Sequence, residues 1–145
     1  MAKVVLGGTF DNFHKGHKHL LREASSLGDV KIGLTSDEMA ERTKGVRVEN
    51  FEVREKAVKD FLPEAEVEKI EDPMGFAIDE DFDYIMVSSE TRTRAEMINE
   101  KRKEAGKEEM KIVEVDLVLA EDGDPISSTR IRNGEIDREG NSLNS

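Results

Sequence analysis

Apolar residues recur along this chain in two rhythms. Short unbroken or alternating runs predict strands at Lys3–Leu6 (KVVL), Val30–Leu34, Glu66–Ile70, Tyr84–Val87 (YIMV) and Lys111–Leu119, with 66–70 alternating weakly enough to suit a sheet edge. Between them apolar residues fall at helical spacing. Leu20, Leu21, Ala24 and Leu27 mark a helix over about 15–27, stopped by Gly28. Ser36-Asp37 caps a short helix over Glu38–Arg42, and a polar stretch, Thr43–Asn50, follows. Phe51, Ala57, Val58, Phe61 and Leu62 build the face of another helix that Pro63 ends. Thr93–Ala105 is a charged helix closed by Gly106, and a last short one starts at Ser127-Ser128. Strand and helix alternate throughout, so the expected class is α/β: five strands in a mostly parallel sheet, helices on both faces.

The chain has 145 residues, enough for one core, so residues 1–145 are expected to form a single domain. After Arg132 the sequence turns polar, and the tail beyond about residue 133 is expected to be loosely ordered. Cysteine is absent, which removes disulfides, thiolate metal sites and a cysteine nucleophile together. Nothing resembles a signal peptide or a membrane-spanning run, so a soluble, cytoplasmic protein without a membrane partner is expected. Oligomeric state is not legible.

Charge narrows the partners. Asp and Glu number 33 against 22 Lys and Arg, a formal net charge of -11. That field repels phosphate backbones and argues against nucleic acid. A polyphosphate ligand would have to rely on one local cluster of donors.

Such a cluster is visible after the first strand, in Gly7-Gly8-Thr9-Phe10-Asp11-Asn12-Phe13-His14-Lys15-Gly16-His17. Ligands of open parallel sheets bind outside the carboxyl ends of strands, and a helix N-terminus there favours anions. Gly16 removes a side chain between two histidines where a ligand could press in. A lone His-x-x-His pair is most often a surface pair, and a zinc site would need carboxylate help. His19 points to another side of the helix and is assigned no chemistry. Near the other end, Ile126-Ser127-Ser128-Thr129-Arg130 places three hydroxyls and a cation at a helix start, suited to polyphosphate although also an ordinary Ser cap.

Together the strand, Gly-Thr-Phe-Asp, His-x-Gly-His and the distal Ile-Ser-Ser-Thr-x-Ile-Arg resemble the signatures of the HxGH nucleotidyltransferases, over essentially the whole chain. The resemblance implies a Rossmann-like nucleotidyltransferase fold and attack on the α-phosphate of a nucleoside triphosphate, with pyrophosphate expelled. It implies that Gly8, Thr9, Phe10, His14, His17, Arg92, Ser127, Ser128, Thr129 and Arg130 bind ATP. It also gives His14, His17 and Lys44 catalytic roles, the histidines at the α-phosphate, and brings Mg2+ in with ATP, held by phosphates rather than by protein side chains.

The acceptor is read from the middle of the chain. Leu34-Thr35-Ser36-Asp37-Glu38, Glu71-Asp72-Pro73-Met74-Gly75, Val87-Ser88-Ser89-Glu90-Thr91 and Ile98-Asn99-x-x-Arg102 resemble the phosphopantetheine adenylyltransferases of archaea and of the eukaryotic bifunctional coenzyme A synthase. That resemblance implies ATP and 4′-phosphopantetheine as substrates, with Thr9 and Lys44 on the acceptor phosphate. Arg92 and Arg94 follow the fourth strand, where the bacterial form has an Arg-Gly-Leu-Arg run; Glu90 and Glu96 are their alternative partners. Nicotinamide mononucleotide, FMN or glycerol 3-phosphate as acceptor, a non-catalytic nucleotide-binding module, and a structural domain are the alternatives.

Overall fold

The computed structural model describes residues 2–72, 75–89 and 91–143. Its elements are β1 (Lys3–Gly8), α1 (Lys15–Leu27), β2 (Asp29–Thr35), α2 (Asp37–Lys44), α3 (Phe51–Phe61), β3 (Glu66–Ile70), β4 (Tyr84–Val87), α4 (Arg92–Glu104), β5 (Lys111–Glu114) and α5 (Ser128–Arg132). All five strands are parallel, in the order β3-β2-β1-β4-β5. The chain winds outward from β1 through β2 to β3, then returns to start again at β4. The winding direction therefore reverses between β1 and β4, and a crevice opens beyond their carboxyl ends.

Alternation along the strands divides the core between two faces. Val4 and Leu6 of β1, with Val30, Ile32 and Leu34 of β2, pack against Leu21 and Ala24 of α1 and Phe51 and Val58 of α3. Val5, Ile85 and Val87 face the other way, onto Ala95 and Ile98 of α4. Both faces are covered, which is why the central strands read as apolar runs. Among the described residues no helix is long and apolar enough to cross a membrane.

Three differences from the sequence expectations have physical causes. The last strand stops at Glu114 rather than Leu119. Its partner β4 ends at Val87, opposite Glu114, so residues 115–118 have no neighbouring strand and turn towards the crevice. Residues 133–143 are packed and hydrogen-bonded rather than loose. Ile136 is fully buried with Ala120 and Ile126, and the Arg138 carbonyl accepts from Lys15 N–H at 3.0 Å. One apolar residue in a polar tail anchors it, a signal too sparse for periodicity. The third concerns Ile98-Asn99-x-x-Arg102, whose polar members hold the fold. Asn99 exchanges two 2.8 Å hydrogen bonds with the Met110 backbone. Arg102, 2% exposed, donates to the carbonyls of Ala77, Glu80 and Glu108. The Pro73-Met74 and Glu90 positions of the other middle motifs lie outside the described residues.

Candidate active site

The loop from Thr9 to His14 carries β1 into α1 through two residues at positive φ, Phe10 (53°) and Asn12 (50°). Non-glycine residues are rarely held there, and such strain is kept where surrounding bonds enforce it. Here the enforcing residue is Asp11, 2% exposed. Its Oδ1 accepts from Glu49 N–H at 2.9 Å and its Oδ2 from Arg132 Nη2 at 2.6 Å. Ser128 Oγ donates to the Asp11 carbonyl at 2.5 Å. The two motifs separated by most of the chain are thus tied together through one aspartate, which the sequence reading assigned no role.

His14 is the N-cap of α1, and its Nδ1 accepts from Gly16 N–H at 3.0 Å and from His17 N–H at 3.4 Å. His17 answers: its Nδ1 accepts from His14 N–H at 3.1 Å. This is a capping box built from two imidazoles. Its consequence is chemical. With Nδ1 committed as acceptor on both rings, each neutral imidazole carries its proton on Nε2. Burial lowers the His14 pKa to about 4, helped by the charges of Lys44 and Arg138. Burial also holds His17 well below its ordinary value, with His14 and Lys44 adding to the effect. The rings stack at 3.6 Å between centroids, and Phe10 and Phe13 wall His17 at 5.0 and 5.6 Å. The histidines therefore offer oriented neutral donors, not positive charge.

Gly16 meets a second constraint besides the one its position suggests. A Cβ there would lie 2.9 Å from His14 Cε1 and 3.0 Å from Nδ1. A side chain there would displace the His14 ring, and Gly16 also lines the cavity that His14 and His17 share. At Gly8 a Cβ would sit 2.9 Å from the Phe10 ring.

His14, His17, Lys44, Ser127, Ser128 and Thr129 come together along one cavity of about 380 Å3, with Ser88 and residues 115–118 on its far side. His19 lines it too, because the cavity follows the α1 surface further than the helical wheel suggests. Lys44 is the last residue of α2, before Gly45 in the left-handed region. Ser127 Oγ caps Arg130 N–H at 3.2 Å, and the buried Ser128 is spent on Asp11. Thr129 is exposed, and its hydroxyl makes no hydrogen bond among the described residues.

Other expected residues lie elsewhere. Thr9 sits at the end of β1, its Oγ1 accepting from Thr35 Oγ1 at 3.1 Å. Phe10 is buried in the core beneath His17. The Arg130 guanidinium is engaged by Asp122, Glu135 and the carbonyls of Asp124 and Pro125, and does not line the cavity. Arg92 pairs with Glu114 at 3.3 Å on the surface, not with Glu96. Arg94 lines a second, narrow cleft of about 50 Å3 on the α4 face, shared with Gly7, Gly33, Ile70, Phe76 and Ile98.

This geometry has counterparts. A family model described as cytidylyltransferase-like matches residues 5–134. A protein of Archaeoglobus fulgidus named phosphopantetheine adenylyltransferase is 50% identical, over 95% of this chain and 97% of its own. A Methanosarcina barkeri protein of the same name is 48% identical, over 97% of this chain and 92% of its own. Among solved structures, one titled as a protein of unknown function from Archaeoglobus fulgidus superposes with a TM-score of 0.74 at 45% identity, covering 79% of this chain and 89% of that one. The chain belongs to the cytidylyltransferase-like family and, within it, to the phosphopantetheine adenylyltransferases.

Proposed function

We propose that this chain transfers the adenylyl group of ATP to 4′-phosphopantetheine, forming dephospho-coenzyme A and pyrophosphate, in the cytoplasm. One observation carries the reading: two stacked imidazoles, each with Nδ1 taken by a backbone N–H and Nε2 left as the donor, share a cavity with Lys44 and the Ser127–Thr129 turn. An oxygen of the 4′-phosphate attacks the α-phosphorus, and the bond to the β-bridging oxygen breaks as pyrophosphate leaves. The nucleophile is already an anion, so no general base is required. Charge building on the α-phosphate oxygens is met by Nε2–H donors of His14 and His17, fixed in place before the reaction. Neutral donors suit an acidic chain, since they need no counter-charge in the resting protein.

ATP spans the crevice with its β- and γ-phosphates at the Ser127–Thr129 turn. Arg130 reaches them only by exchanging Asp122 and Glu135 for phosphate, and Arg92 only by leaving Glu114. Magnesium enters as part of the Mg–ATP substrate, held by phosphate oxygens and water. Among the described residues no group of three or more His, Asp or Glu is placed to hold an ion alone. Thr9 and Lys44 hold the acceptor phosphate, and the largely apolar cleft at Gly33, Ile70, Phe76 and Ile98 gives its uncharged arm a surface.

The test is pyrophosphate release with ATP or CTP and each of 4′-phosphopantetheine, FMN, nicotinamide mononucleotide and glycerol 3-phosphate. Release with ATP and phosphopantetheine alone is expected. Equal or faster turnover with another pair refutes the acceptor.

A further inference from the structure

Arg54 is, with Arg102, the largest fully buried side chain among the described residues, and none of the motifs includes it. It projects from α3 into the base of the Thr9 turn. Nε donates to the Glu49 carbonyl at 2.7 Å, and Nη2 to Asp37 Oδ1 at 2.7 Å. Nη1 donates to the Thr9 carbonyl at 2.9 Å and to Thr35 Oγ1 at 3.3 Å. Thr35, itself 4% exposed, then donates from Oγ1 to Thr9 Oγ1 at 3.1 Å.

Direction in this chain is fixed by what each group is able to do. A guanidinium only donates. Thr35 Oγ1 must therefore accept from Arg54, and its single proton goes to its one acceptor among the described residues, Thr9 Oγ1. Thr9 receives that bond, and its own proton is left to point away from Thr35, out of the β1 turn. We propose that Arg54 and Thr35 are positioning residues that set the polarity of the Thr9 hydroxyl, making it a committed donor for the acceptor's phosphate oxygen. Without the relay, the Thr9 hydroxyl is able to turn its lone pairs towards an anion as readily as its proton. Arg54 works through the carbonyl of Thr9 as well, so it fixes both the main chain and the rotor of the residue that meets the acceptor.

The inference rests on Thr9 as a ligand of the acceptor phosphate and not also of ATP. Its test separates the two claims. Thr35→Val keeps the shape of the buried side chain and removes the relay; Thr35→Ser keeps the hydroxyl. Melting curves establish folding, and KM and kcat are measured for ATP and for 4′-phosphopantetheine separately. The expected result for T35V is a roughly tenfold higher KM for phosphopantetheine, as for loss of one oriented bond to a charged group. Its KM for ATP stays near the wild-type value, and T35S is restored on both. An unchanged phosphopantetheine KM in T35V overturns the relay. So does an equal loss for both substrates, which marks a merely structural threonine. If T35V does not fold, Thr35→Ala, which only leaves space, is read by the same contrast. Inactive wild-type protein would instead count against the proposed acceptor.

Discussion

Arg132 donates to the Asp11 carboxylate at 2.6 Å across 121 residues of sequence, joining α5 to the strained turn that follows β1. The two halves of the cavity are therefore one bonded unit. Binding at either motif depends on a contact that belongs to neither ligand.

Removing that contact tests the coupling. Arg132→Ala leaves a buried carboxylate with one strong partner fewer, and should lower unfolding free energy by about 2 kcal/mol, discounted because Arg132 is itself partly exposed. Urea denaturation reads it. The KM for ATP should rise in the same variant, since the Ser127–Thr129 turn loses its tie to the Asp11 loop.

Gly16 gives a sharper separation of stability from activity. Alanine favours a helix over glycine by roughly 1 kcal/mol, yet its Cβ would press on the His14 ring at 2.9 Å. Gly16→Ala should thus leave thermal stability within a few degrees and reduce kcat at least tenfold. A variant with wild-type turnover would show that the His14 ring has room to move.

The imidazole pair makes stability depend on acid. Both folded-state pKa values lie below the ordinary 6.5, so the unfolded chain binds protons that the folded one refuses. Stability should be complete above about pH 6.5 and fall as pH drops towards 4, where His14 itself begins to protonate. His14→Asn keeps an N-cap acceptor and removes one titrating group, so its melting temperature should decline less steeply over that window. Nitrogen-15 spectra at pH 7 should show both histidines protonated on Nε2 alone.

Much of this architecture was legible beforehand, for definite reasons. Helix α1 has its apolar residues at 20, 21, 24 and 27 and a glycine stop, and its bounds agree with the pattern. The edge strand Glu66–Ile70 alternates because Val67 packs against the core on one face while Glu66 and Glu68 pair with Lys31 on the other, the face that the buried Ile70 closes at the strand's end. What stayed hidden were the supports. Asp11 and Arg132 bond each other across 121 residues, and Arg54 acts through the carbonyls of Thr9 and Glu49; no local spacing marks such bonds. The histidines were legible as chemistry, but their neutral state was not, because it follows from burial and from the reciprocal cap. The Arg130 cation was legible, but its carboxylate partners Asp122 and Glu135 were not, because nothing in their spacing marks them as a pair for it.

His17→Ala removes a donor that the proposed mechanism uses at the transition state. Turnover should fall by two or more orders of magnitude, on the scale of an oxyanion-type donor. Affinity for ATP, measured by calorimetry, should change far less. Near-normal turnover in folded H17A protein would remove His17 from the chemistry.

The most direct measurement of the whole account uses ATP labelled at the α-phosphorus, incubated with 4′-phosphopantetheine and magnesium, with both products resolved by mass. The label should appear in dephospho-coenzyme A, one label per molecule, with unlabelled pyrophosphate formed in equal amount. Label recovered only in ATP, or in an adduct with FMN or nicotinamide mononucleotide when those are offered instead, would contradict it.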